Sequence, residues 1–114
     1  MGLVLKSQLV VLVSLLFISC GDPLARKLLV FPGKDSCIQS KVDSYLVFKG
    51  FRVYPDNYYE REDPKTRVLT SFRISCENGE CKISILDFRT NTLTDSTKMA
   101  IDSLEKMLAP CANQ

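Results

Sequence analysis

The hexapeptide Cys76-Glu77-Asn78-Gly79-Glu80-Cys81 constrains this chain more than any other stretch. Asn-Gly is the favoured centre of a two-residue type I′ turn, because both central residues must take positive φ and these two do so cheaply. With Asn78 and Gly79 at the tip, Glu77 and Glu80 become the hydrogen-bonded pair, and Cys76 faces Cys81 as a non-hydrogen-bonded pair. Cα atoms in such a pair approach to about 4.5 Å, within the range that a disulfide accepts. The register then propagates outward. Ile74 is expected opposite Ile83 and Phe72 opposite Ile85 on one side of the hairpin, with Arg73, Ser75, Lys82 and Ser84 on the other. Farther from the tip the pattern inverts: Thr70 and Asp87 fall on the apolar side, and Leu69, Leu86 and Phe88 on the polar one. The expected remedy is a bulge that re-aims the strand. Without one, Leu69, Leu86 and Phe88 make an exposed apolar patch and so a partner-binding surface.

Two helices flank this hairpin in sequence. Ser36-Cys37-Ile38-Gln39 fits a capping box, Ile38, Val42, Tyr45 and Leu46 follow at helical spacing, and Gly50 supplies a stop, which predicts a helix over 36–49. Thr94 offers a cap for a second helix over 95–108, with Ile101, Leu104 and Leu108 on one stripe and Pro110 ending it. Leu28 to Phe31, apolar at every position and stopped by Pro32-Gly33, reads as an interior strand buried on both faces. Phe51 to Tyr54 alternates as another strand. Residues 55–65 are polar and bounded by prolines, so they read as a loop, in which Tyr58 and Tyr59 are the features suited to partner contact. The element order predicts an α+β two-layer sandwich, a mostly antiparallel sheet of about four strands with two helices on one face. Antiparallel helices would bring Cys37, at the start of the first, to Cys111, just past the second. Four cysteines allow three connectivities, and packing favours Cys37–Cys111 beside Cys76–Cys81. Thiols used in this way leave no metal site and no cofactor to expect.

The fifth cysteine, Cys20, belongs to a different part of the chain. Lys6 precedes an apolar run from Leu9 to Ile18, and Ser19 and Cys20 follow, which is the order of a secretory signal. The run is about ten residues, half the roughly twenty that a helix needs to span a bilayer. Phe17-Ile18-Ser19-Cys20 resembles the lipobox of bacterial lipoproteins, with Phe17 where Leu is usual. The resemblance implies that Cys20 is lipidated and becomes the mature N-terminus, and Gly21 in place of Asp after it implies outer-membrane sorting in the cell envelope. The expected organisation is a signal peptide at 1–19, a lipidated tether at 20–27 and one disulfide-stapled domain at 28–114. An ordinary signal peptide that removes Cys20 or leaves it incidental is the alternative. Lipidation of Cys20 would leave an even four cysteines, as an oxidising compartment favours.

Function is less constrained. The chain has no His, so enzymes built on imidazole are excluded, and its net charge of +2 gives no footprint for nucleic acid. Asp43, Glu60 and Asp87 show no spacing that converges on an acid–base site, and no phosphate-binding glycine loop occurs. The order of elements over 28–108 is similar to that of small envelope accessory lipoproteins, such as the lipopolysaccharide-translocon lipoprotein and the curli-secretion family. That resemblance implies a non-catalytic accessory or assembly subunit, held at the membrane by its lipid and docked on a protein partner in the envelope. The alternative is a secreted or surface binding module, or an inhibitor of an extracytoplasmic enzyme.

Overall fold

The turn at Asn78-Gly79 organises the computed structural model, which describes residues 23–113. Both residues take positive φ, 54° and 78°, so the turn is of type I′. It joins β4 (Leu69–Glu77) to β5 (Glu80–Phe88). Cys76 lies opposite Cys81 and is disulfide-bonded to it across a Cα separation of 4.0 Å. The expected pairs Ile74–Ile83 and Phe72–Ile85 form, and the ladder continues unbroken to Leu69 opposite Phe88. The bulge is therefore absent, and Thr70 and Asp87 stay on the apolar side, where both are buried.

β1 (Leu24–Pro32) pairs antiparallel with the outer side of β5, from Leu24 opposite Phe88 to Pro32 opposite Glu80. It is an edge strand, which corrects the expectation of an interior one. Ala25 and Leu29 face the core, while Leu28 is 55% and Val30 49% exposed on the other face. An unbroken apolar run thus marks a strand whose second face lacks a cover among the described residues. The strand also takes in Leu24 to Lys27, placed in the tether by sequence.

The remaining strands correct the count to five. Asp56 and Asn57, at φ 65° and 56°, turn the chain between β2 (Arg52–Tyr54) and β3 (Tyr58–Glu62). β3 then pairs along β4, giving the order β1-β5-β4-β3-β2, antiparallel throughout. The segment 55–65 hid this strand because four of its five strand residues, Tyr58, Glu60, Arg61 and Glu62, are polar or half-exposed and Tyr59 alone is buried.

Both helices cover one face. α1 (Asp35–Phe48) buries Ile38, Val42 and Leu46, and α2 (Asp95–Leu108) buries Ala100, Ile101, Leu104 and Leu108. These pack on Leu29, Phe72, Ile74, Ile83 and Ile85 of the sheet. The capping box at Ser36 does not form: the cap residue of α1 is Lys34, without a side-chain bond, and Ser36 lies inside the helix. Thr94 does cap α2, its Oγ1 accepting from the Thr97 N–H at 3.1 Å. A single 3-10 turn, Ala109–Asn113, carries the chain from α2 to the start of α1. There Cys111 is disulfide-bonded to Cys37, with a Cα separation of 5.8 Å. At the other end Arg61 of β3 donates to the Lys49 carbonyl at 3.1 Å and the Ser96 hydroxyl at 3.3 Å, tying the end of α1 to the start of α2. The helices are therefore antiparallel, as the second disulfide requires. Gly33, at φ 134°, passes so close to Cys111 that a Cβ there would stand 2.5 Å from its carbonyl oxygen. No larger residue fits that crossing without displacement of backbone.

Candidate functional site

Two-layer packing leaves the second face of the sheet bare among the described residues. Alternation along each strand decides what that face shows, and the register arranges it in rows. Leu24, Phe88, Leu69 and Glu62 form one row; Arg26, Leu86, Ser71, Glu60 and Arg52 form the next; Leu28, Ser84, Arg73, Tyr58 and Tyr54 form the third. Leu69, Leu86 and Phe88, each half-buried, thus come together on this face, the arrangement expected where no bulge intervenes. Leu24, Leu28 and Val30 of β1 add apolar surface along the exposed edge, interrupted by Arg26 opposite Leu86 and bordered by Lys82 opposite Val30. The cluster has a polar rim at its Leu69 end, where Glu62 Oε2 lies 3.3 Å from Arg67 Nε and 4.0 Å from an Arg89 nitrogen. Apolar centre and charged rim are the ordinary arrangement of a protein contact surface.

The two tyrosines separate. Tyr58 belongs to this face: its hydroxyl donates to Glu60 Oε2 at 2.9 Å, and the Arg73 guanidinium lies 4.9 Å from its ring centroid. Partial burial, and then the bond to Glu60, raise its phenol above the usual tyrosine range. Tyr59 points the other way and is 3% exposed, so it is a core residue, and the expectation that it makes partner contact is corrected. Its hydroxyl donates to Asp43 Oδ1 at 2.8 Å. Burial, and next the Asp43 carboxylate, push its pKa up to about 12.

The carboxylates considered as acid–base candidates have structural partners. Asp87 accepts from the hydroxyls of Thr70, at 2.5 Å, and Thr97, at 2.9 Å, through Oδ1, and from the Thr94 N–H at 2.9 Å through Oδ2. It seats the N-terminus of α2 on β5, where the helix dipole favours an anion. Asp43 holds Tyr59 on the helix side, and Glu60 holds Tyr58 on the opposite face. Asp35, Cys76 and Cys81 bring three potential metal-ligating atoms together among the described residues, but the two sulfurs are bonded to each other. Such a pair offers no thiolate to a metal.

Cys20 lies outside the described residues, so its expected lipidation has no structural counterpart here. Among the described residues no helix is long and apolar enough to cross a membrane. The share of β1 in this face escaped the sequence pattern, whose signal was the same-face placing of Leu24, Leu28 and Val30, broken by Arg26. Comparisons of the chain with known protein families, with curated proteins and with solved structures gave no match.

Proposed function

We propose that this chain is a non-catalytic, lipid-anchored protein of the bacterial cell envelope, at the outer membrane, that docks through its open sheet face on another envelope protein. The observation that carries the docking reading is the apolar cluster on the open face, where Leu24, Phe88 and Leu69 lie in one row, Leu86 in the next and Leu28 in the third, with no layer over them among the described residues. Leaving such a cluster in water forgoes about 25 cal/mol per Å² of apolar area, which a partner surface recovers. The anchor reading is supported by the lipobox-like Phe17-Ile18-Ser19-Cys20 and by the even count of cysteines that remains when Cys20 is set apart. All four of those are in disulfides, consistent with an oxidising compartment.

A photo-crosslinking residue placed in living cells at Leu28, on the open face, should give one discrete protein adduct. The same probe at Glu105, on the exposed side of α2, should give none. Leu86→Glu should abolish the Leu28 adduct while thermal unfolding stays cooperative. A folded Leu86→Glu protein that still crosslinks fully from Leu28 would sink the docking face. Loss of the cooperative transition in that variant would instead assign Leu86 to the core.

A further inference from the structure

A pocket of about 120 Å³ opens between the C-terminal end of α1 and the N-terminal end of α2, away from the open sheet face. Its apolar walls are Tyr45, Phe51 and Phe72, and its polar groups include Lys49, Arg61 and Ser96. Arg61 is half-buried and lies over the Phe51 ring, 5.2 Å from its centroid. Two of its nitrogens bond to the Lys49 carbonyl and the Ser96 hydroxyl, but its Nε is buried without any partner. Among the described residues neither Arg61 nor Lys49 forms an ion pair. Lys49 is exposed and Arg61 half-buried, so the desolvated group is the Arg61 Nε–H alone, and a buried donor without an acceptor is costly.

The acids nearby do not bond to it: Asp63, whose carboxyl is held low mainly by the Lys65 and Thr66 amides and in part by the Arg61 charge, makes no ion pair with Arg61. Asp87 lies behind Thr70 and Thr97, both of which line the pocket, and those hydroxyls and the Thr94 N–H occupy its oxygens. Asp95, in the first turn of α2, is exposed. Two cations outnumber the one carboxylate behind the pocket floor.

From the unpartnered Arg61 Nε, the second cation at Lys49 and the aromatic walls, we infer that this pocket binds a small organic carboxylate. A pocket of this size suits a small organic group at its floor. Walls of Tyr45, Phe51 and Phe72 favour a short carbon body over inorganic phosphate. The carboxylate pairs with Arg61 and Lys49, and the carbon body lies against the rings.

Backbone amide NMR of the full-length protein in detergent tests this with butyrate, its neutral counterpart butanol, and inorganic phosphate as probes. Butyrate should shift the Ser96 and Ala100 amides saturably at millimolar concentration, and butanol and phosphate should act at least about tenfold more weakly. Lys49→Met leaves the Arg61 bonds between the helices in place and should weaken butyrate at least about fivefold. Arg61→Lys should weaken it further while the spectrum stays dispersed, and Lys65→Met, on a distant loop, should change nothing. Equal shifts from butyrate and butanol would overturn the carboxylate assignment. So would phosphate binding as tightly as butyrate, wild-type affinity in Lys49→Met, or no saturable shift with any probe.

Discussion

Tyr58 and Tyr59 are adjacent in sequence and lie on opposite faces of β3, one at the open surface and one in the core. Sequence reading grouped them because it took their segment for a loop, and only strand alternation separates them. The same alternation places Thr70 and Asp87 among apolar residues, which sequence took as a sign of a bulge. Their burial is made tolerable by α2, whose cap and Thr97 hydroxyl complete the bonds of the carboxylate. No local pattern announces a partner that arrives from seven to ten residues farther on. Tyr59 also carries a pH signature. Its phenol is near 10 when unfolded and about 12 when folded, so the folded state keeps its proton longer. The contribution of the neutral hydroxyl is complete below pH 10. It is lost between about 10 and about 12, where the unfolded chain has released the proton and the folded chain still holds it. The stability gap between the native chain and Tyr59→Phe, followed by urea unfolding, should therefore narrow as pH rises through that window. A gap constant from pH 8 to 12 would mean that burial and Asp43 do not hold the phenol protonated in the folded chain.

At the scale of elements, the sequence was most legible where local chemistry and tertiary need coincide. The Asn78-Gly79 turn, the hairpin register, Thr94 as the α2 cap and both helix stripes follow from residue type and spacing alone. Legibility failed at strand edges: β3 hid among charges, and β1 looked interior because its exposed face is apolar. The Ser36 capping box failed because the helix begins one residue before it, at Asp35. The disulfides act on different scales too. Cys37–Cys111 spans 74 residues and Cys76–Cys81 spans 5. On the chain-entropy estimate the first stabilises by about 4 kcal/mol and the second by about 2. Replacing Cys37 and Cys111 by Ser together should therefore lower the melting temperature more than replacing Cys76 and Cys81. The reverse order in calorimetry would show that the hairpin staple, at the turn that sets the register, matters more than closure of the long loop.

For the whole molecule, the placement of the apolar cluster and the pocket follows from one topological choice. α1 crosses the sheet from one edge to the other and α2 returns beside it, so both helices share a face and the second face stays open among the described residues. The apolar cluster begins at Leu24. Cys20 precedes Leu24 by a stretch of chain that extends at most ~14 Å at ~3.5 Å per residue. A lipid on Cys20 would therefore hold the Leu24 end of the cluster close to the bilayer, and a partner docked there would be an envelope protein with mass near the membrane surface. That picture depends on where the mature chain starts and what it carries, which intact mass reads directly. Protein purified from membranes should have the mass of a chain starting at Cys20 plus acyl groups. Reduction should add two hydrogens for each disulfide, hence about 4 Da for the two pairs. Cys20→Ser should move the protein to the soluble fraction with both disulfides retained. An unacylated native chain in the soluble fraction would remove the anchor and make a secreted binding module the better reading, with the open sheet face still its contact surface. Acyl mass with only one disulfide would keep the anchor and break the link between the even cysteine count and lipidation.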